Sequence, residues 1–419
     1  MDDKEVFDLL NAEERRQQST LRMVASTNQV SDNVRKALSS VFTNCYSEGY
    51  PGKRYYQGQL NTDKIEQLAI DRAKKAFNLP EHWHVNVQPY SGSPANLEVY
   101  NALCKPGDIV VGLGLNSGGH LTHGHKVNFT GINYTVYQYD VNKDTELIDY
   151  YELENLVKTV HPRMVLIGTT AYSRIIDWER ISEICNDESL ITNSECYFVA
   201  DVAHVAGLIV GGVYPSPIPY ADVVTLTTHK TLRGPRGGMI LCRDSLAKKI
   251  DRSVFPGMQG GPHMNQIAAL AVALGEALQP EFKDYAAQII KNAKKLADLL
   301  QHIYGLKVIS GGTDSHLMVV DLTKKGIDGK TAAIALEKAG IECSYSTIPY
   351  DPNPPAKPSG IRLGVAIPTT IGMKEDDMVE VAAYINLALD NYDNDEVLDS
   401  ISKDIAVMVN SFNWNLRGV

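Results

Sequence analysis

The sequence predicts an α/β fold: a large domain on a mostly parallel central sheet, followed by a smaller C-terminal α/β domain. Three observations carry this expectation. From about residue 62 to 245, short apolar runs alternate with helical stretches, the pattern of strand–helix crossovers. A strongly amphipathic stretch at residues 286–304 then opens a second series of strand and helix patterns. The 419 residues are 44% hydrophobic and 21% charged, a globular balance with ample material for a core.

Residues 1–60 are mixed in character, rich in Tyr, Asn and Gly around 44–58, and read as an arm. The large domain, 61–275, shows strand-like runs at 85–87, 109–113, 164–167, 197–200, 223–226 and 239–242. Helical stretches such as 64–77 and 96–103 separate them. The smaller domain, 276–419, begins with the 286–304 helix, where Ile290, Ala293, Ala297, Leu300 and Tyr304 share one face and Gly305 supplies a stop. A strand at 316–322, a helix at 330–339, a Pro-rich loop at 349–358, a strand at 361–365 and a helix at 376–389 follow.

The net charge of −10 argues against broad binding to nucleic acid or anionic membrane, which needs a basic surface. The six cysteines are scattered, with no CxxC pair, which fits a reducing compartment without a disulfide or metal framework. The N-terminus MDDKEVFDLL is acidic and lacks an apolar signal core. The longest apolar run, 202–214, is too short to span a bilayer. A cytoplasmic protein is expected.

Ligands in parallel sheets sit at the carboxyl ends of strands, and several reactive side chains fall there. Lys230 follows the strand 223–226 in a segment full of hydroxyls and glycines, Thr225-Leu-Thr-Thr-His-Lys-Thr-Leu-Arg-Gly-Pro-Arg-Gly-Gly. A lysine that forms a Schiff base must be partly desolvated so that its amine can be neutral. An exposed loop lysine is the bland alternative. Asp201 ends the apolar run 197–200, one crossover earlier. A pyridinium nitrogen needs such a carboxylate partner, although an Asp at that place can also merely cap the next helix. Ser91-Gly-Ser-Pro-Ala-Asn96 follows a strand and opens a helix, with Ser93 suited to the N-cap and Pro94 to the first helical position. Free amides and hydroxyls at that dipole would hold a phosphate. In Gly118-Gly-His-Leu-Thr-His-Gly-His125 the histidine spacing suggests a metal, but no carboxylate or cysteine accompanies it. His120 is read as a ring stacked on a pyridine; a simple loop histidine is the bland reading of His123 and His125, and the favoured one for His125.

Together these segments resemble serine hydroxymethyltransferase, of the fold-type I pyridoxal-phosphate superfamily. The resemblance runs from about Val24 to the end. Its strongest words are Glu48-Gly-Tyr-Pro-Gly-Lys-Arg-Tyr-Tyr56, Gly118-Gly-His-Leu-Thr-His-Gly124, Asp201-Val-Ala-His-Val-Ala-Gly207, Thr227-Thr-His-Lys-Thr-Leu-Arg-Gly-Pro-Arg-Gly-Gly238 and Phe255-Pro-Gly-Met-Gln-Gly-Gly-Pro262. It implies serine–glycine interconversion by cleavage and formation of a Cα–Cβ bond, with pyridoxal 5'-phosphate as cofactor and tetrahydrofolate as one-carbon acceptor. It also implies a homodimer with shared active sites.

The implied roles are specific. Lys230 would carry the cofactor, Asp201 would face its ring nitrogen and His120 would stack on the ring. Ser91, Gly92 and Ser93 would hold the phosphate, joined by Tyr46, Gly260 and Gly261 of a neighbouring subunit. Thr170 and His204 would lie near the phenolic oxygen, with Thr227 and His229 also around the cofactor and Thr227 among the catalytic residues. Ser26 and Arg362 would grip the substrate carboxylate, which suits the two-pronged guanidinium. Glu48 would move a proton at the substrate hydroxyl, with Tyr55 and Tyr56 lining the same pocket and His204 near the substrate.

The chain departs from the family pattern in places. The family's Ala-Ser-Glu-Asn reads Ala25-Ser-Thr27-Asn28, a histidine before Gly-Gly-His is Ser117, and a Gln after the phosphate serine is Pro94. An Asn beside the folate pterin aligns with Ser346, and a Phe near it with Ala356. Gly-Thr-Pro-Ala reads Gly364-Val-Ala-Ile367, and an Arg before Gly is Ile371. A lost pterin hydrogen bond costs roughly 1–3 kcal/mol. A specialised paralogue is therefore the alternative: a folate-independent aldolase, transaldolase or hydroxymethyltransferase for a β-hydroxy or α-substituted amino acid. A non-catalytic homologue is disfavoured, because Lys230, Asp201, His120, Glu48 and Arg362 are all present.

Overall fold

The computed structural model describes residues 3–412 and divides into two compact units. One is Val30–Ala287; the other joins the stretch up to Gln29 with the stretch from Gln288 onward. Among the described residues, no helix is long and apolar enough to cross a membrane.

The larger unit is organised by a seven-stranded sheet. Its strands are β1 (Trp83–Asn86), β2 (Ile109–Leu113), β3 (Thr135–Tyr139), β4 (Met164–Gly168), β5 (Tyr197–Asp201), β6 (Val223–Thr227) and β7 (Gly238–Arg243), in the spatial order β1-β7-β6-β5-β4-β2-β3. From β3 to β6 all neighbours are parallel, while β7 runs against both β6 and β1. The mostly parallel sheet is thus as expected. Its interior strands bury nearly every residue, including Val110, Val111, Met164, Leu166, Val199, Val223 and Ile240. That explains their continuous apolar runs, since parallel strands are covered on both faces.

β3 was not anticipated. It is an edge strand paired only with β2, and four of its five residues remain partly or fully exposed. TVYQY therefore carries no apolar run to betray it. The crossover helix Tyr150–Val160 buries Leu153 and Val157. It starts at Asp149, whose carboxylate accepts the Tyr151 and Glu152 amides, and stops at His161 with φ +50°. The alanine-rich helix Met264–Ala277 packs against Leu60–Ala76 and Asp32–Leu38.

The smaller unit holds a four-stranded antiparallel sheet: β8 (Lys307–Val308), β9 (Leu317–Asp321), β10 (Ser344–Ser346) and β11 (Gly360–Gly364), ordered β8-β9-β11-β10. Helices Gly329–Lys338, Asp377–Asp390 and Asp395–Ser411 accompany it. Leu21–Arg22 pairs in parallel with Ile341–Glu342, and the Gly364 amide donates to Met23 O at 2.8 Å. The N-terminal stretch is thereby tied to this unit. The helix Pro280–Asp298, continued through Leu299–Ile303, covers the amphipathic stretch and is followed by Gly305 at φ +68°.

Candidate active site

Lys230 lies three residues past the carboxyl end of β6 in a compact knot of backbone and is 9% exposed. The Gly234 amide donates to Thr228 O at 2.7 Å, the Thr228 hydroxyl to Pro235 O at 2.5 Å, and the Arg233 amide to Lys230 O at 3.0 Å. Arg233 closes the turn at φ +61°. The Thr231 hydroxyl donates to His204 O at 2.8 Å and accepts the Gly207 amide at 3.0 Å, tying this knot to the turn after β5. Burial, with the Arg236 and Lys230 cations nearby, depresses His229 to about 3 and keeps its ring neutral.

Asp201 ends β5, in register with Gly168 of β4 and Thr225 of β6. A Cβ at Gly168 would run into Asp201, so the glycine makes room for it. Three donors reach the Asp201 carboxylate. The Ala203 amide meets Oδ1 at 3.0 Å, while Asn96 Nδ2 at 2.9 Å and His123 Nε2 at 3.1 Å meet Oδ2. Burial by itself would raise this carboxyl. The hydrogen bonds from His123 and Asn96 work against this and draw Asp201 below the usual carboxylate range. An ionised carboxylate at the end of a sheet strand is what a protonated pyridine nitrogen requires.

Here His123 departs from the bland reading of a loop histidine. It is fully buried and bonded to Asp201. Asn96 and Thr122, neither singled out beforehand beyond their place in a motif, belong to the same buried network. The spacing was a usable signal, because His120 and His123 stand at the cap and third positions of one turn. His120 is partly buried at the cap. The preceding glycines are needed for close approach: a Cβ on Gly119 would collide with Leu113 O, and one on Gly118 would stand 2.8 Å from Ala171 C. The Thr170 amide donates to Gly118 O at 2.7 Å, fastening the turn after β4 to this loop.

The helix after β1 starts earlier than predicted. Its N-cap is Ser91, not Ser93, and it spans Gly92–Leu103, so Pro94 occupies the third helical position. The sequence rule placed proline at the first position, but any place in the first turn leaves its missing N–H unneeded. Ser91 makes no side-chain capping bond, so its hydroxyl and the first-turn amides of Gly92 and Ser93 are available to an anion. A Cβ on Gly92 would stand 2.5 Å from Thr227 Cγ2, and one on Gly238 2.5 Å from Ser91 O. Both glycines therefore let this cradle lie against β6 and β7. Thr227 itself donates to Ala203 O at 3.2 Å. A phosphate cradle, an ionised carboxylate and a buried lysine on one sheet edge fit pyridoxal 5'-phosphate.

A second cluster in this unit is exposed. Tyr46 is 63% and Tyr56 41% exposed, with ring centroids 5.9 Å apart, and the Tyr56 hydroxyl donates to Glu48. A Cβ on Gly261 would meet Tyr46 Cε1 at 3.0 Å, and one on Gly260 would approach Glu48 Oε1 at 3.5 Å. Tyr55 packs edge-on to Phe255 at 5.7 Å. Ser26 and Arg362 lie in the other unit. Arg362 sits in the centre of β11 between Val319 and Ser344, and burial brings its guanidinium down to about 10. A Cβ on Gly364 would lie 2.5 Å from Ala25 Cα, and His316 Nε2 is 3.1 Å from Ala25 O, so Ser26 follows a segment held against this sheet. Ser346 ends β10 with its hydroxyl bonded to Thr347 O, and Ala356 is exposed in the Pro-rich loop.

Comparison with known proteins agrees with this geometry. Residues 1–385 match the family model described as serine hydroxymethyltransferase. Similar relatives include the serine hydroxymethyltransferase of Acidobacterium capsulatum, 50% identical over 410 residues, covering 98% of this chain and 94% of the relative. That of Acidothermus cellulolyticus is 49% identical over 401 residues (96% and 90%). That of Lactobacillus gasseri is 49% identical over 405 residues (96% of each). On matches of this length and identity, the chain belongs to the serine hydroxymethyltransferase family.

Proposed function

We propose that this protein interconverts serine and glycine, using pyridoxal 5'-phosphate as cofactor and tetrahydrofolate as one-carbon acceptor. The observation that carries the reading is the pairing of a buried lysine, Lys230, with a carboxylate, Asp201, kept ionised by three donors at the end of the adjacent strand. When bound, the cofactor supplies an electron sink for the charge left on Cα as the Cα–Cβ bond breaks. The remaining work falls to side chains. Lys230 holds the cofactor, Asp201 keeps its ring nitrogen protonated, and His120 covers the ring. Ser91, Gly92 and Ser93 take the phosphate. Thr170 and His204 attend the phenolic oxygen, with Thr227 and His229 beside them. Arg362 and Ser26 bind the substrate carboxylate, and Glu48 moves the proton at the substrate hydroxyl.

The exposed cluster supports a homodimer with shared sites. Tyr46, Gly260 and Gly261 are assigned to the phosphate of a neighbouring copy. Tyr46 touches Tyr56, and Tyr56 donates to Glu48, so these two travel with Tyr46 to the same neighbouring site. Tyr55 and Tyr56 line the substrate hydroxyl pocket there.

Ser346 and Ala356 keep a second reading open: the same carbon–carbon chemistry with an acceptor other than folate. The two are separated by giving purified enzyme glycine, then tetrahydrofolate, and following visible absorbance, and by giving it serine with and without tetrahydrofolate and following glycine formation. A strong folate-dependent response is expected. Indifference to folate, together with cleavage of threonine-like substrates, would transfer the assignment to the second reading.

A further inference from the structure

The turn Leu121–His123 is closed by a reciprocal capping pair made of two imidazoles. His120 is the cap residue, and its Nδ1 accepts the Thr122 amide at 3.2 Å. His123 is the third residue, and its Nδ1 accepts the His120 amide at 3.2 Å. This arrangement normally uses a hydroxyl and a carboxylate, groups that accept without regard to tautomer. An imidazole is different. A neutral ring has one acceptor nitrogen and one donor nitrogen, so a ring that accepts through Nδ1 carries its proton on Nε2.

The surrounding network runs in the same direction. The Thr225 hydroxyl donates to Asn96 Oδ1 at 2.6 Å, which orients the amide. Asn96 Nδ2 then donates to Thr122 Oγ1 at 2.8 Å and to Asp201 Oδ2 at 2.9 Å. Because the Thr122 amide points at His120 Nδ1, that nitrogen is an acceptor, and the Thr122 hydroxyl donates its proton to it at 2.7 Å. Asn96, Thr122, His123 and Thr225 are all at most 1% exposed. A doubly protonated His123 would set an Nδ1–H against the His120 N–H, leaving a buried donor facing a donor, which is costly.

We infer that Thr122 and His123 are positioning residues that lock both imidazoles as the Nε2–H tautomer. His123 thereby gives Asp201 a neutral donor, and His120 meets the cofactor ring uncharged. The inference rests on the reading that His120 and Asp201 face pyridoxal phosphate, and the experiment keeps the two apart.

The test is nitrogen-detected magnetic resonance of the full-length enzyme labelled with 15N-histidine, before and after addition of pyridoxal 5'-phosphate. In the cofactor-free enzyme, His120 and His123 should each show an unprotonated Nδ1 and a proton-bearing Nε2. Thr122→Val keeps the shape and the amide but removes the hydroxyl, the shorter of the two contacts to His120 Nδ1, so the His120 signal should move toward a mixture of tautomers. Thr122→Ser should restore the wild-type pattern, which a merely structural role for Thr122 would not predict. His123→Leu should weaken cofactor binding by about tenfold or more. A wild-type spectrum with Nδ1 protonated on either ring overturns the inference without any variant, and so does a Thr122→Val spectrum identical to wild type. Tautomers as expected, but with neither ring shifted by the cofactor, sustain the locking and overturn instead the assignment of His120 and Asp201 to the cofactor.

Discussion

Single residues in this chain act through what surrounds them. Asp201 stays ionised although buried, because the hydrogen bonds from His123 and Asn96 favour its charged form. Asp201→Asn should therefore leave the fold intact but cut turnover by orders of magnitude, because the ring nitrogen loses its counter-charge; steady-state kinetics with serine checks this. Arg362→Lys should raise KM for serine by roughly 10- to 100-fold, the loss of one charge-assisted hydrogen bond, with cofactor absorbance unchanged. Glu98 is the opposite case to Asp201. It is fully buried, its carboxyl oxygens have no hydrogen-bond partner among the described residues, and burial pushes it up to about 8. The folded state keeps this proton where the unfolded chain has released it. Stability is then greatest below the ordinary carboxylate range and falls as pH rises toward about 8. Glu98→Gln should stabilise the enzyme by a few kcal/mol, more at mildly alkaline than at mildly acidic pH, as read from denaturant midpoints.

At the scale of elements, the site depends on how closely the Gly92–Leu103 helix approaches β6 and β7. Gly238→Ala would press a methyl against the Ser91 carbonyl, a backbone atom that cannot step aside. Overpacking of this kind costs about 1–3 kcal/mol, and here it displaces the phosphate cradle itself. Weaker binding of pyridoxal phosphate is expected, with circular dichroism close to wild type. Much of this element was readable from sequence. Ser91-Gly-Ser-Pro-Ala-Asn96 after a strand announces a helix start and an anion site. Its first residue was misplaced by two positions, because Ser93 and Ser91 are equally good caps and only the backbone chooses. β3 stayed hidden for a different reason: an edge strand is half solvated and shows no apolar run.

For the whole molecule, the exposed Tyr46 and Tyr56, with the half-buried Glu48 bonded to Tyr56, set the expectation of shared sites. Lys230→Gln and Glu48→Gln should each be inactive alone. Mixing the two after subunit exchange should restore activity that neither has, since one of the two sites in each mixed dimer is then wild type. No recovery, with exchange verified by mass spectrometry, would argue that Glu48 serves its own chain.

What the sequence determined by itself was the chemistry available and the sheet that presents it. Lys230, Asp201, the Ser91–Ser93 cradle and His120 are local words, each attached to a strand end, and strand ends are marked by apolar runs. Only the tertiary structure decided how these groups are tuned. His123 reads as a loop histidine until the fold buries it against Asp201. Asn96 and Thr225 lie far apart in the chain, yet they meet through one hydroxyl–amide bond. Hydrogen bonds of this kind depend on register between strands and on where a helix begins, at a precision of about one residue. Periodicity does not carry that information; packing does.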